Sequence, residues 1–126
     1  MTVVKVDLAD NAYDIEVEAG VLAKAAQYIG PFLRGRRALV ITDANVATHV
    51  LPKLAASLAA AGIDHDAHIL PAGEGAKSWA QLEGLTDWLL EQHVERSDHI
   101  VALGGGVVGD ITGFAAHIVK RGCSFI

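Results

Sequence analysis

Residues 99–110 read His99-Ile100-Val101-Ala102-Leu103-Gly104-Gly105-Gly106-Val107-Val108-Gly109-Asp110. The run His99–Leu103 is apolar toward both faces, the pattern of a central parallel strand covered on each side by helices. Gly104, Gly106 and Gly109 then follow with G-x-G-x-x-G spacing and lead into a helix-compatible stretch through Ile111, Phe114, Ala115 and Ile118. Backbone without Cβ atoms can approach a pyrophosphate closely, and the unpaired N–H groups and positive end of the following helix face the anion. Glycine at a strand-to-helix turn also serves as a turn alone. Three in succession at 104–106 go beyond what a turn requires and point toward ligand contact.

Working outward from this stretch, strands and helices alternate, which predicts βα units feeding a parallel sheet. Upstream, Ala38–Ile41 reads as a strand, followed by Thr42-Asp43-Ala44-Asn45 and one helix with Val50, Leu54 and Leu58 on a shared face. Pro52 falls near the start of that helix and Gly62 stops it. His68–Leu70 is a short strand, and Pro71–Ala76 a glycine-bearing loop. Ser78 and Gln81 have capping-box spacing, so a helix starts there with Leu82, Leu85 and Leu89 toward the sheet. Nearer the N-terminus, Val21–Ile29 is helix-compatible and ends at Gly30-Pro31. Val4, Val6 and Leu8 oppose Tyr13, Ile15 and Val17 across Asp10-Asn11 as an antiparallel hairpin. Cys123–Ile126 reads as the opening of another buried strand, so the chain's end is expected to be a cut inside a larger fold.

The glycine turn departs from the usual dinucleotide fingerprint, which opens the first βα unit and has its acidic residue downstream. Here the acidic candidate is upstream: Asp43, with Asn45 two residues on, at the carboxyl edge where α/β sheets bind ligands. A helix N-cap is the alternative reading of Asp43. The loop Gly73-Glu74-Gly75-Ala76-Lys77 follows a strand too and belongs to the same edge, where Lys77 could pair with a phosphate and Glu74 accept from a ribose or orient Lys77. A solvated surface loop is the alternative. Asp110, read in the first turn of its helix, gains from the helix dipole with or without a ligand.

The composition narrows the classes. Among 126 residues, 52% are hydrophobic and 20% charged, and no uninterrupted apolar run reaches the roughly 18 residues of a membrane span. One soluble globular domain over residues 1–126, cytoplasmic and without a membrane partner, is expected. The formal charge of −5 leaves no basic stripe for nucleic acid. One cysteine, Cys123, excludes an intrachain disulfide, and six histidines without ligand spacing predict no metal site within these residues.

Ala102–Asp110, followed by Thr112-Gly113-Phe114-Ala115-Ala116 and Arg121-Gly122, closely resembles 3-dehydroquinate synthase, and Thr42–Val46 and Gly73–Ser78 are similar to that family's two other nucleotide loops. The resemblance implies an α/β, Rossmann-like, mostly parallel sheet flanked by helices, with the N-terminal hairpin added and the family's C-terminal helical domain absent. It implies a lyase of the shikimate pathway that uses NAD and a divalent metal, zinc or cobalt, to convert the sugar phosphate DAHP to 3-dehydroquinate and phosphate. Related sugar phosphate cyclases, glycerol-type dehydrogenases and a non-catalytic nucleotide-binding module are the alternatives.

Carried over residue by residue, the resemblance puts Asp43 and Asn45 at the adenosine end of NAD and Gly73, Glu74 and Lys77 along the ribose and phosphates. Gly105, Gly106, Val107, Val108, Gly109 and Asp110 would hold the pyrophosphate and nicotinamide half, and Arg121 would reach substrate phosphate across a homodimer interface. The metal ligands, a Glu and two His, and the lysines that hold substrate lie in a part of the family's sequence that follows Ile126. The 126 residues by themselves are therefore expected not to turn over DAHP.

Overall fold

The computed structural model describes residues 2–126. Strand β1 (Thr2–Val6) pairs antiparallel with β2 (Tyr13–Val17), with Val4 opposite Ile15 and Val6 opposite Tyr13. The hairpin predicted from alternation is present, as a separate two-stranded sheet. Its apolar side is exposed, Val4 at 47% and Ile15 at 44%. The second sheet has the order β4-β3-β5-β6, all parallel, from β3 (Arg37–Asp43), β4 (Asp64–Leu70), β5 (His99–Leu103) and β6 (Ser124–Phe125).

Period-2 alternation sorts the two faces of this sheet. Leu39, Ile41 and Ile100 pack against α4 (Trp79–Glu91) and α5 (Gly106–Ile118) through Leu85, Leu89, Val108, Ile111 and Ala115. Ala38, Val40 and Val101 turn the other way, onto α3 (Leu51–Ala60) through Leu54 and Leu58, with α1 (Ala25–Ile29) alongside. The predicted α/β class with helices on both faces is therefore observed.

Several local expectations are corrected. The single helix expected after Asp43 is two: α2 (Ala44–His49) stops at Val50, whose φ of −119° departs from helical values, and Pro52 falls at the start of α3, near a helix start as expected. The stretch Val21–Ile29 begins as a 3-10 turn over Val21–Lys24, and another continues through Gly30–Phe32. The helix expected through Ile111, Phe114, Ala115 and Ile118 is present as α5, with Ile111, Ala115 and Ala116 on its inner face and Phe114 and Ile118 about half exposed. The closing strand is an edge strand rather than a buried one, with Phe125 49% exposed. Phe125 lies over Gly113, where a Cβ would come within 3.1 Å of its ring.

The amino ends of the two central strands are tied by one buried carboxylate. Asp98, 4% exposed, accepts from the Glu95 amide at 2.7 Å and from Arg34 through Nε at 3.1 Å and Nη2 at 3.0 Å, with Arg37 Nη2 at 3.8 Å. This two-point contact raises the Arg34 pKa, through the hydrogen bond first and the charge of Asp98 second. Asp98→Ala strands the Glu95 amide but leaves both arginines reachable by water, so unfolding free energy should fall by about 1–3 kcal/mol. Urea denaturation checks this, and Asp98→Asn, which still accepts from Glu95, should recover part of the loss.

Candidate functional site

The sheet order places a topological switch between β3 and β5, since the chain leaves β3 toward β4 on one side and returns to β5 on the other. In α/β sheets the crevice outside the carboxyl ends of the strands at such a point is where ligands sit. The register Thr42↔Leu103 and Asp43↔Leu70 brings the ends of β3, β4 and β5 level. The three loops singled out in the sequence therefore share one rim.

Each loop is held in its own way. Asp43 caps α2, its Oδ1 accepting from the Val46 amide at 2.9 Å, so the helix-cap reading holds for that oxygen. Asn45 is exposed on the first turn of the same helix. The second loop turns at Gly73, whose φ of 88° suits glycine, and passes through a 3-10 turn over Glu74–Ala76 before Ser78 caps α4 by accepting from Gln81 at 3.2 Å. Lys77 reaches across to α5, with Nζ 2.7 Å from Asp110 Oδ2 and 3.7 Å from Glu74 Oε2. The hydrogen bond to Asp110 raises the Lys77 pKa against a smaller opposing desolvation, so the ammonium stays charged.

Asp110 lies in the second turn of α5, since Gly105 is the N-cap, and not in the first turn as the sequence suggested. The dipole effect fades beyond the first turn, and Lys77 is the partner that holds this carboxylate. Val108 is 1% exposed and belongs to the core, so it can offer a ligand only its backbone amide, while Val107 is partly buried against the same cluster. Arg121 is not brought to the rim. It follows α5, which starts at the carboxyl edge and runs back for 13 residues, a length of about 20 Å, so Arg121 sits at the amino edge beside the start of β6.

The three glycines divide by function. A Cβ on Gly104 would lie 2.8 Å from Cγ2 and 3.0 Å from Cβ of buried Val108, a branched side chain with no room to move. Gly105 and Gly106 have open space within 4 Å, and Gly105 has a φ of −89° and ψ of −160°, which any residue can adopt. The fold thus demands glycine at 104 only. At 105 and 106 the absent side chains leave the first amides of α5 uncovered, and no side chain caps that helix.

Beside this turn lies a hollow of about 310 Å³ lined by Lys77, Ser78, Trp79, Leu82, Asp110, Ile111 and Phe114. Trp79 is 80% exposed and meets Phe114 edge-on, ring centroids 6.4 Å apart. Both aromatic residues were missed as site residues in the sequence. Their signal was a helical one: Trp79 directly follows the cap of α4, and Phe114 stands one turn beyond Asp110. Among the described residues no three His, Cys, Asp or Glu side chains cluster as a metal site would need, and no helix is long and apolar enough to cross a membrane.

Residues 67–126 match the family described as 3-dehydroquinate synthase N-terminal. The chain is 50% identical over 123 residues to the 3-dehydroquinate synthase of Zymomonas mobilis subsp. mobilis, covering 98% of this chain and 32% of that relative. Among solved structures, 2-deoxy-scyllo-inosose synthase complexed with carbaglucose-6-phosphate, NAD+ and Co2+ aligns with a TM-score of 0.83 at 22% identity, over 98% of this chain and 34% of that one. The 2-epi-5-epi-valiolone synthase of Streptomyces hygroscopicus subsp. jinggangensis, with NAD+ and Zn2+ bound, aligns at 0.79 and 29% identity, over 94% of this chain and 32% of that one. The chain spans about a third of the length of these proteins.

From the geometry of the glycine turn, Gly104→Ala should lower unfolding free energy by about 1–3 kcal/mol through overpacking, whereas Gly105→Ala should change it by less than about 0.5 kcal/mol. Parallel thermal and urea melts of the two variants make the comparison.

Proposed function

We propose that this chain, which is similar over nearly its whole length to 3-dehydroquinate synthases of which it spans about a third, is the part of such an enzyme that holds NAD along the carboxyl rim of its sheet. The observation that carries this reading is the bare backbone at Gly105 and Gly106, where nothing in the protein itself calls for glycine. The pyrophosphate lies there, on the amides of Gly105, Gly106, Val107 and Val108, with Gly109 keeping the helix clear beneath it. Asp43 and Asn45 take the adenosine end, and the second oxygen of Asp43 accepts from a ribose hydroxyl while the first stays on Val46.

Gly73 sets the second loop, and Glu74, Lys77 and Asp110 form a carboxylate-ammonium-carboxylate trio that suits hydroxyls better than phosphate, because its two acids outweigh its one cation. NAD supplies the transient oxidation in the conversion of DAHP to 3-dehydroquinate and phosphate. The chain's own contribution is to bind and orient that cofactor. The zinc or cobalt of the complete enzyme has no candidate ligand set among the described residues, and we assign its ligands to the part of the relatives that this chain does not span. Arg121, at the far edge of the sheet, serves the phosphate-bearing end of substrate in a second copy, in a cytoplasmic homodimer. A guanidinium fork binds such oxyanions in a bidentate way.

Calorimetric titration with NAD+ should give saturable binding, weakened at least about tenfold, or roughly 1.4 kcal/mol, by Asp43→Ala and by Gly105→Val alike. Indistinguishable titrations for all three proteins would favour a scaffold whose loops merely turn the chain. With NAD+, zinc and DAHP added, the 126-residue chain should release no phosphate above background, and a measurable rate would count against the division of labour described.

A further inference from the structure

Thr42 is the penultimate residue of β3, fully buried at 0% exposure, and its Oγ1 donates to the carbonyl oxygen of Leu103 at 2.8 Å. Thr42 and Leu103 are also the last register pair between β3 and β5, because β3 gives way to α2 immediately after Asp43. Leu103 is the residue before the glycine turn. Since the peptide unit is planar, fixing its carbonyl oxygen also fixes the plane that carries the Gly104 amide. Gly104 then passes so near Val108 that an added Cβ would come within 2.8 Å of it, so the turn has little room on that side and its direction follows from that first plane.

On the other side of Thr42 the chain enters Asp43, which is pinned to Val46. One buried hydroxyl thus stands between the two rim elements that must keep a common spacing. We infer that Thr42 is a positioning residue of the dinucleotide cradle, its hydroxyl holding the glycine turn in register with Asp43. This rests on the NAD-binding reading for its ligand, but the geometric effect exists without one. A purely structural threonine would behave differently: valine has nearly the same shape, favours strands at least as well, and would serve equally in the core.

The test compares Thr42→Val and Thr42→Ser with the unaltered chain by two measurements. In heteronuclear amide spectra recorded without nucleotide, the Gly104–Val107 resonances should move in Thr42→Val by more than those of Val40 and Val101, within the same two strands, because the peptide plane that opens the turn loses its anchor. The NAD+ dissociation constant should rise about tenfold in parallel, and Thr42→Ser should return the turn resonances toward their original positions and the dissociation constant to within about threefold. Unmoved turn resonances in Thr42→Val, equal movement at Val40 and Val101, or a serine variant as impaired as valine would each overturn the inference. If the unaltered chain does not bind NAD+, the ligand reading falls and the amide-resonance comparison alone judges Thr42. Should Thr42→Val not fold, Thr42→Cys, with its weak S–H donor, carries the same comparison.

Discussion

Burial of β3 on both faces and along both edges is the constraint from which the rest of the molecule follows. Ala38, Leu39, Val40 and Ile41 are between 0% and 3% exposed, so every neighbouring element is placed by what must cover them. Alternate side chains recruit α4 and α5 to one face and α3 with α1 to the other. Parallel pairing to β4 and β5 follows from crossovers that pass over opposite faces. The chain therefore reverses its progress across the sheet at β3, and the carboxyl end of this strand becomes the place where loops diverge and leave a crevice.

At that crevice Lys77 is the one ammonium brought to the rim by the second loop, and it is engaged by Asp110 and Glu74. On the NAD-binding proposal, attraction for a pyrophosphate would come from backbone: the first amides of α5, aligned with the helix and left uncapped. The same proposal would account for the glycines at 105 and 106, where the fold itself leaves open space for a side chain. Lys77 has another physical role, joining the loop after β4 to α5 and so closing the rim on the side away from Asp43.

At the opposite edge of the sheet the buried polar contact is a structural one. Asp98 gathers Arg34 and Arg37 there and holds the starts of β3 and β5 together. Arg121 is also at that edge, preceded by Lys120 with φ of 49° and followed by Gly122 with φ of 113°. Left-handed backbone at Lys120 and Arg121 is uncommon for residues with side chains. It produces the sharp reversal that brings Cys123 back to hydrogen-bond the Ala116 carbonyl and aligns β6 beside β5.

Local patterning in the sequence determined the element types, the hairpin pairing, the cap at Ser78, the strand His99–Leu103 and the rim membership of Asp43, Lys77 and the glycines, because periodicity, caps and turn residues act over a few neighbours. What only the tertiary structure decided was what each residue faces. Phe114 and Trp79 came out beside the hollow, Val108 went into the core, and Asp110 found Lys77 across the rim. The roles of Gly104 against Gly105 separated only when Val108 was in place. Thr42 was an ordinary strand residue until β5 lay next to it. Such outcomes depend on which distant elements pack together, and contacts between residues as far apart as 42 and 103 are set by the geometry of the assembled sheet, not by anything written in either segment alone.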